Sequence, residues 1–198
     1  MSTLKRLSSK LVYIHGTNGS GKSTLARALL AAAAHPTNIE HLPGNPKASW
    51  TNTAGGVVFI GKYGNACGGV DGLSPYASIK DIVGMHADEG GVMLAEGLVT
   101  PGLATCQELA NMVKTHLFIH LNVPLEACVA NVLTRRSRKG TDKPYDTANL
   151  IKKRASAESW IRRLGEAGLA VQICSWNEAY LRCLEFLELQ DFDHTNLL

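Results

Sequence analysis

The sequence predicts an α/β fold of the three-layer type, in which a five-stranded, mostly parallel sheet lies between helices. Two observations predict it. Five short apolar runs alternate along the chain with segments of helical periodicity, and strands that alternate with helices form a parallel sheet covered on both faces. The 198 residues, 45% of them hydrophobic and 19% charged, suffice for one core. We therefore expect a single domain over residues 1–198.

The predicted elements follow one another in a regular order. Strands are expected at residues 11–15, 57–60, 91–95, 117–121 and 170–174, because these runs are short, apolar and bounded by glycine or polar residues. Helices are expected at residues 22–34, 78–89, 147–165 and 178–189. A further helix begins near Pro124 and carries an apolar stripe over residues 125–133.

Charge and cysteine content exclude several classes of protein. A net charge of +3 is too small to imply a nucleic-acid or membrane partner by itself. The five cysteines are widely spaced without a CxxC pair, which favours free thiols over a disulfide framework or a zinc site. The basic start leads into no signal-type core, and the longest apolar run, residues 28–34, is far shorter than a membrane span. These features indicate a cytoplasmic protein.

A glycine-rich motif follows the first predicted strand and opens the first predicted helix. It fits the pattern GxxxxGK[ST] and consists of Gly16, Thr17, Asn18, Gly19, Ser20, Gly21, Lys22, Ser23 and Thr24. The glycines let backbone N–H groups turn toward phosphate oxygens, and the positive end of the helix favours an anion. The motif predicts a nucleotide-binding P-loop for ATP, in which Lys22 reaches the β and γ phosphates and Ser23 ligates Mg²⁺.

Other segments decide which kind of P-loop protein is expected. The guanine-reading motif of GTPases is absent from the sequence, and a transporter ATPase needs a longer chain. Residues 121–126, followed by the basic residues 135–140, resemble the strand–Val-Pro–helix–arginine sequence with which small P-loop kinases enter their lid. The glycine spacing of the loop is also that of nucleoside and nucleotide kinases. The predicted class is therefore a P-loop NTPase of the nucleoside/nucleotide kinase-like type, with an approximate lid at residues 135–146.

Two carboxylates and two arginines are the predicted catalytic partners of Lys22. Glu96 ends the third predicted strand, where such folds keep a base or a ligand of metal-bound water. We assign Glu96 to the metal, as the alternative base, and Asp71, which lies in a glycine-rich loop, to the acceptor hydroxyl. Arg135 and Arg136 are lid candidates that act on the moving phosphoryl group. A solvated strand end for Glu96 and a simple turn for Asp71 stay open.

A glycine-rich segment at residues 61–76 is the predicted acceptor loop, because glycine at a strand end lets a ligand approach the backbone closely. The candidate substrate-binding residues are Lys62, Tyr63, Asn65, Asp71 and Tyr76. Asn65 and Asp71 can hydrogen-bond the edge of a base, and Tyr63 or Tyr76 can stack on it. The alternative for each tyrosine is a half-buried packing role.

The acceptor loop carries a family resemblance. Residues 61–71, GKYGNACGGVD, followed by LSPY at residues 73–76, resemble the acceptor region of the phage 5-hydroxymethyluridine DNA kinases. The resemblance implies phosphorylation of the 5-hydroxymethyl group of a modified thymine already within DNA, a step in thymidine hypermodification. It implies DNA as the acceptor and, for a phage-encoded member, the host cytoplasm as the location.

The basic residues are concentrated in one part of the chain. Residues 135–163 hold ten Lys or Arg and three acids, an excess that fits either a phosphodiester backbone or a solvated basic face. Two other functions stay open beside DNA phosphorylation. A kinase for free deoxynucleosides or their monophosphates would differ only in its acceptor pocket. The other open function is an ATP-binding switch without an acceptor substrate. The second glycine-rich loop argues against it, because a switch needs no second substrate site.

Overall fold

The computed structural model describes residues 8–63, 69–98, 101–141 and 145–190. In chain order its elements are β1 (Lys10–His15), α1 (Lys22–Ala32), β2 (Pro36–Leu42), β3 (Asn45–Thr53), β4 (Val57–Ile60), α2 (Ser78–Asp88), β5 (Val92–Gly97), α3 (Leu103–Met112), β6 (Thr115–Leu121), α4 (Leu125–Arg138), α5 (Thr147–Glu166), β7 (Val171–Cys174) and α6 (Trp176–Leu187). A 3₁₀ turn at Gly69–Gly72 precedes α2.

The strands form one mixed sheet in the order β2-β3-β4-β5-β1-β6-β7. Seven strands, rather than the predicted five, therefore make up the sheet within the described residues. The five predicted strands are all confirmed, and they form the parallel part, β4-β5-β1-β6-β7. Because β1 lies between β5 and β6, the chain connections on its two sides run in opposite directions, which makes the carboxyl end of β1 a topological switch point. Open α/β sheets bind their ligands at such a point.

The two additional strands, β2 and β3, form an antiparallel hairpin at one edge of the sheet. Apolar periodicity does not predict β3, because several of its buried positions are polar. The buried hydroxyl groups of Thr51 and Thr53 donate hydrogen bonds to the carbonyl groups of Gly61 and Val57. The turn itself leaves a signal in the sequence, since Pro43 precedes Gly44, whose φ is 73°.

Helix α3 is a second element that the sequence analysis does not predict. Its buried residues Cys106, Leu109 and Ala110 recur at helical spacing, so the apolar stripe is present in the sequence. The helix packs beside α2 and α5 on one face of the sheet. It begins shortly after the end of β5 and therefore lies next to the switch point.

The core has two layers, one on each face of the sheet. Strand β1 contributes to both, since Leu11 and Tyr13 face the layer beneath α2, α3 and α5, whereas Val12 and Ile14 face the layer beneath α1 and α6. Successive side chains of a strand point to opposite faces of the sheet, so an apolar run such as residues 11–15 predicts a strand that is buried on both faces. The predicted α/β layer arrangement is thereby confirmed in outline.

The described cysteines agree with the sequence analysis. Cys106, Cys128, Cys174 and Cys183 are buried free thiols, while Cys67 lies outside the described residues. Within the described ranges, every helix is too short or too polar to cross a membrane.

Candidate active site

The predicted P-loop connects β1 to α1 at the centre of the sheet. β1 ends at His15, and α1 begins at Lys22 with Gly21 as its N-cap. Gly19 and Gly21 have φ values of 80° and 87°, a region that glycine adopts without strain. A side chain on Gly19 would also overlap the carbonyl oxygen of Cys128 in α4. The loop can follow this path only because both positions are glycine.

The Lys22 ammonium group lies inside the loop. Its Nζ donates hydrogen bonds to the carbonyl oxygens of Gly16 at 2.8 Å and Thr17 at 3.1 Å. The residue is 8% exposed, and this burial lowers the pKa of the ammonium group, while the negative charges of Glu96 and Asp71 act in the opposite direction. The Lys22 side chain is therefore held inside the loop by the carbonyl groups of the loop itself.

Two hydroxyl groups of the loop are suited to phosphate oxygens. Thr17 Oγ1 and Ser20 Oγ are both buried, and neither has a hydrogen-bond partner among the residues that the structure describes. Buried polar groups are rarely left unpaired, so these two donors fit an anion that the loop would enclose. Asn18 is half-buried, and Thr24 lies exposed in the first turn of α1.

Glu96 lies directly beside the P-loop. It sits near the end of β5, is 1% exposed, and its Oε1 accepts a hydrogen bond from Ser23 Oγ at 3.1 Å. Burial raises the pKa of Glu96 to about 7, although the charge of Lys22 and the hydrogen bond from Ser23 both lower it. A hydroxyl and a carboxylate oxygen placed next to a phosphate loop are ligands of the kind that Mg²⁺ accepts together with phosphates and water.

Asp71 is held against the end of β5. Both of its carboxylate oxygens lie 2.9 Å from the Leu98 nitrogen and accept its N–H. The contact depends on two glycines, because a methyl group on Gly97 would come within 2.8 Å of Asp71 Oδ1 and one on Gly69 would overlap the Glu96 carbonyl oxygen. The glycine-rich turn therefore docks on the same strand end that carries Glu96.

The other predicted acceptor residues differ in their surroundings. Tyr76 is half-buried, and its hydroxyl lies 2.8 Å from the hydroxyl of Tyr13, which is fully buried in β1. Lys62 is exposed, and Asn65 lies outside the described residues.

Tyr63 is 7% exposed and packs edge-on against the ring of Phe59, with 5.6 Å between ring centroids. Its ring is thus a component of the core rather than an open platform for a base. Its hydroxyl is buried without a hydrogen-bond partner among the described residues. Burial raises the pKa of this phenol, and the charges of Glu96 and Asp71 raise it further, so the hydroxyl lies within electrostatic reach of the two carboxylates.

The two predicted lid arginines occupy the last turn of α4, which continues to Arg138. The segment predicted as a lid therefore begins within a helix. Arg135 is exposed, and its charge is among those that lower the pKa of Lys22. The Arg136 guanidinium lies 5.6 Å from the ring centroid of Tyr145. Residues 142–144 lie outside the described part of the chain.

Sequence reasoning missed His15, the last residue of β1. Its Nε2 donates to the Leu98 carbonyl oxygen at 3.1 Å, and burial lowers the pKa of the imidazole to about 3, so the ring is neutral. The ring centroid of Trp160 in α5 lies 4.6 Å away. The signal available was a histidine at the end of an apolar strand, directly before the P-loop.

Comparison with known proteins gives a relative that spans nearly the whole chain. A 5-hmdU DNA kinase of Pseudomonas phage PaMx11 is 30% identical over 190 residues, which cover 90% of this chain and 97% of that protein. The chain belongs to the 5-hmdU DNA kinase family. Two further 5-hmdU DNA kinases match less of the chain. The one of Delftia phage PhiW-14 is 25% identical, and the match covers 80% of this chain and 65% of that protein. The one of Pseudomonas phage M6 is 26% identical, and the match covers 66% of this chain and 74% of that protein.

Membership of the 5-hmdU DNA kinase family rests on the relative that covers 90% of the chain, since no family model matches the sequence. Among solved structures, one from the PezAT chromosomal toxin–antitoxin system of Streptococcus pneumoniae superposes with a TM-score of 0.52 at 16% identity, covering 85% of this chain and 68% of that one. At that identity the likeness concerns the fold alone. The phosphotransferase class rests on the family.

Proposed function

We propose that this chain transfers the γ-phosphoryl group of ATP to the 5-hydroxymethyl group of 5-hydroxymethyluridine within DNA. The observation that carries the proposal is the 30% identity, over nearly its whole length, to a 5-hmdU DNA kinase. The site supports it, since Glu96 accepts a hydrogen bond from Ser23 of the P-loop and Asp71 is held against the end of the strand that carries Glu96. Both parts that a phosphotransferase needs, a phosphate cradle and a carboxylate for the acceptor, are thus close together.

The donor side is the P-loop, residues 16–24. Its backbone N–H groups and the Thr17 and Ser20 hydroxyls bind the phosphates, and Lys22 offsets the charge that develops on the moving group. Ser23 and Glu96, whose side chains are joined by a hydrogen bond, are the residues that would hold Mg²⁺, Glu96 through a water. When bound, Mg²⁺ neutralises charge on the β and γ phosphate oxygens. Arg135 and Arg136, at the end of α4, extend positive charge toward the same phosphates.

The acceptor side is the turn that carries Asp71. Asp71 orients the hydroxymethyl oxygen and takes its proton as the bond from that oxygen to the γ-phosphorus forms and the bond between the γ-phosphorus and the bridging oxygen of ADP breaks. The Leu98 N–H holds the carboxylate in place. Lys62, Asn65, Tyr63 and Tyr76 remain proposed contacts to the acceptor, and for the buried Tyr63 the group concerned is its hydroxyl. Glu96 is the alternative base.

The product has a clear chemical purpose. Hydroxide is a poor leaving group from the hydroxymethyl carbon, whereas phosphate is a good one, so phosphorylation prepares that carbon for replacement of its oxygen substituent during thymidine hypermodification. We place the reaction on phage DNA in the host cytoplasm.

A transfer assay with labelled ATP tests the proposal. The acceptors are oligonucleotides that differ only in 5-hydroxymethyluridine or thymine at one position, together with free 5-hydroxymethyldeoxyuridine and its monophosphate. We expect label only in the hydroxymethylated DNA and none with Lys22→Ala. Preferential labelling of the free nucleoside or its monophosphate would assign the chain to small-molecule acceptors. ATP binding without transfer to any acceptor would favour the switch.

A further inference from the structure

A groove lined by both polar and apolar residues separates the start of α3 from one side of α5. Its volume is about 520 Å³, and one wall consists of residues 101–103. The other wall is formed by α5, which presents Ser156, Ser159, Trp160 and Arg163. Apolar residues, among them Leu103, Ala155 and Leu164, also line the groove, but its hydroxyl and guanidinium groups donate hydrogen bonds and attract negative charge, so it can accept an anion.

The polar residues of this wall belong to a longer stripe along α5. Lys152, Ser156, Ser159 and Arg163 follow one another at intervals of four, three and four residues, and side chains at this spacing lie on one face of a helix. All four are exposed. We call these four residues the α5 stripe. The stripe extends one turn beyond the groove, to Lys152, and it has a positively charged residue at each end.

Ion pairing distinguishes the α5 stripe from the other basic residues of the helix. Arg154 bonds to Glu158 at 2.8 Å and to the Val123 carbonyl oxygen at 3.0 Å, which fixes it to the protein. Arg162 pairs with Glu166 at 2.7 Å.

Lys152 and Arg163, by contrast, form no ion pair with any residue in the described ranges. Because both neighbouring acids on α5 are engaged by other arginines, the positive charge of the stripe is not cancelled locally. The excess charge of residues 135–163 is therefore divided between residues that stabilise the fold and residues that face solvent.

The groove also lies close to the reaction centre. Trp160, which lines it, donates from Nε1 to the Pro101 carbonyl oxygen at 2.9 Å, and its ring contacts His15. His15 bonds to Leu98, whose N–H in turn is accepted by Asp71. A strand seated in the groove would thus lie a few side chains from the carboxylate assigned to the acceptor.

We propose that the groove between α3 and α5 binds the phosphodiester backbone of the acceptor DNA, with Arg163, Ser156 and Ser159 on one phosphate and Lys152 on a neighbouring one. The inference rests on the proposed function, because it supplies the DNA contact that an enzyme acting on a base within DNA requires. Contacts of this kind set the register of the strand and carry no sequence preference.

Two adjacent arginines provide a matched test. Arg163→Gln removes a charge from the α5 stripe, whereas Arg162→Gln removes the same charge one residue earlier, where it is already paired with Glu166. Binding of a fluorescent oligonucleotide containing 5-hydroxymethyluridine is measured by anisotropy, without ATP, at several salt concentrations. Both side chains are exposed, so both variants are expected to fold, and circular dichroism checks this.

We expect Arg163→Gln to weaken DNA binding about tenfold at low salt and Arg162→Gln to leave it near the wild-type value. For each phosphate that the protein no longer neutralises, the slope of log K against log salt should fall by about 0.7 on a single strand or about 0.9 on a duplex. The double variant Lys152→Gln/Arg163→Gln should reduce the slope by about twice that amount.

Equal weakening by the two single variants would indicate a diffuse basic surface and overturn the groove. Normal DNA binding by Arg163→Gln, or a raised KM for ATP in that variant with DNA binding unchanged, would overturn it as well. Wild-type transfer to the same oligonucleotide is measured in parallel. If the wild type transfers and Arg163→Gln binds normally, the groove is wrong and the proposed function stands, whereas absence of wild-type transfer removes the proposed function whatever the binding result.

Discussion

The donor and acceptor halves of the site are built in different ways. The phosphate-binding part of the donor half comes from nine consecutive residues, 16–24, whose path is set by their own glycines and by the helix they open, and Glu96 lies beside it. The acceptor half is assembled from separate segments, since Asp71 is held by Leu98 and Tyr76 bonds to Tyr13 in β1. Substitutions of the phosphate-binding side chains in the donor half should therefore affect chemistry with little effect on stability, whereas the geometry of the acceptor half depends on packing.

Removal of the P-loop cation should have the largest effect. Lys22→Ala should lower kcat by at least about 10³-fold, because the ammonium group acts on charge that grows toward the transition state. Since its hydrogen bonds are made to two carbonyl groups of the loop itself, thermal unfolding should change little. Radiolabel transfer and calorimetry check the two parts. Lys47→Ala, an exposed lysine on β3, is the control. Near-normal turnover of a folded Lys22→Ala would remove the donor half from the mechanism.

The carboxylate of Asp71 tests the acceptor half separately from the donor half. Asp71→Asn should lower kcat by about 10²-fold with little change in ATP affinity, because the amide still accepts the Leu98 N–H through its one remaining oxygen but cannot take the acceptor proton. Steady-state kinetics with ATP and DNA varied separately check this. Full activity in Asp71→Asn would overturn its assignment to the acceptor.

Glu96→Gln is the counterpart on the donor side. It should raise the Mg²⁺ concentration needed for half-maximal turnover, because the proposed ligand of the metal-bound water loses its charge. A titration of Mg²⁺ for both carboxylate variants separates the two roles. A response confined to Asp71→Asn would exchange the assignments.

Two glycines of one turn test whether packing sets the acceptor geometry. Gly69→Ala should lower the free energy of unfolding by about 3 kcal/mol and reduce transfer, because φ is 76° and the added methyl group would overlap the Glu96 carbonyl oxygen. Gly72→Ala is the matched control, since among the described residues no atom beyond the chain neighbours lies within 4 Å of the added methyl group, and it should stay within about 0.5 kcal/mol of the wild type. Equal effects in urea unfolding would contradict this account.

The smallest effect concerns the pH dependence of stability. His15 is neutral in the folded chain because burial lowers its pKa from about 6.5 to about 3, whereas the unfolded chain takes up a proton below pH 6.5. Its contribution to stability is therefore complete above pH 6.5 and is lost as the pH falls toward 3. Between pH 7 and pH 5 this amounts to about 2 kcal/mol.

Urea unfolding at the two pH values measures this contribution. His15→Gln keeps a donor for the Leu98 carbonyl and should lose less stability than the wild type between pH 7 and pH 5. His41→Gln, at an exposed position of β2, should retain the wild-type pH dependence. The same loss in His15→Gln as in the wild type would show that another group causes it.

The features that the sequence predicted are local in the chain. The P-loop was readable because its residues are consecutive and their spacing follows from the chemistry of phosphate binding, and the five parallel strands were readable from their apolar runs. Asp71 and Glu96 could be chosen by residue type and position alone. That Asp71 is held against the strand end that carries Glu96 follows from Gly69 and Gly97, whose contacts join segments that are distant in sequence.

What could not be predicted depends on tertiary packing. Tyr63 has the residue type of a stacking platform, yet its ring fills space against Phe59. His15 acquires a role only because β5 pairs with β1 and brings Leu98 within reach. The division of the basic residues of α5 depends on which of them meet an acid or a carbonyl group, as Arg154 does.

The two edges of the sheet affect whether copies of this chain can associate edge to edge. An exposed edge strand offers unpaired backbone groups to a neighbouring molecule and can seed aggregation. β2, at one edge, begins at Pro36 and is interrupted by shifts in register near Asn38 and His41, both of which disfavour a further strand. β7, at the other edge, is only four residues long. The sheet that carries the P-loop is thus terminated on each side by a strand that is a poor template for growth.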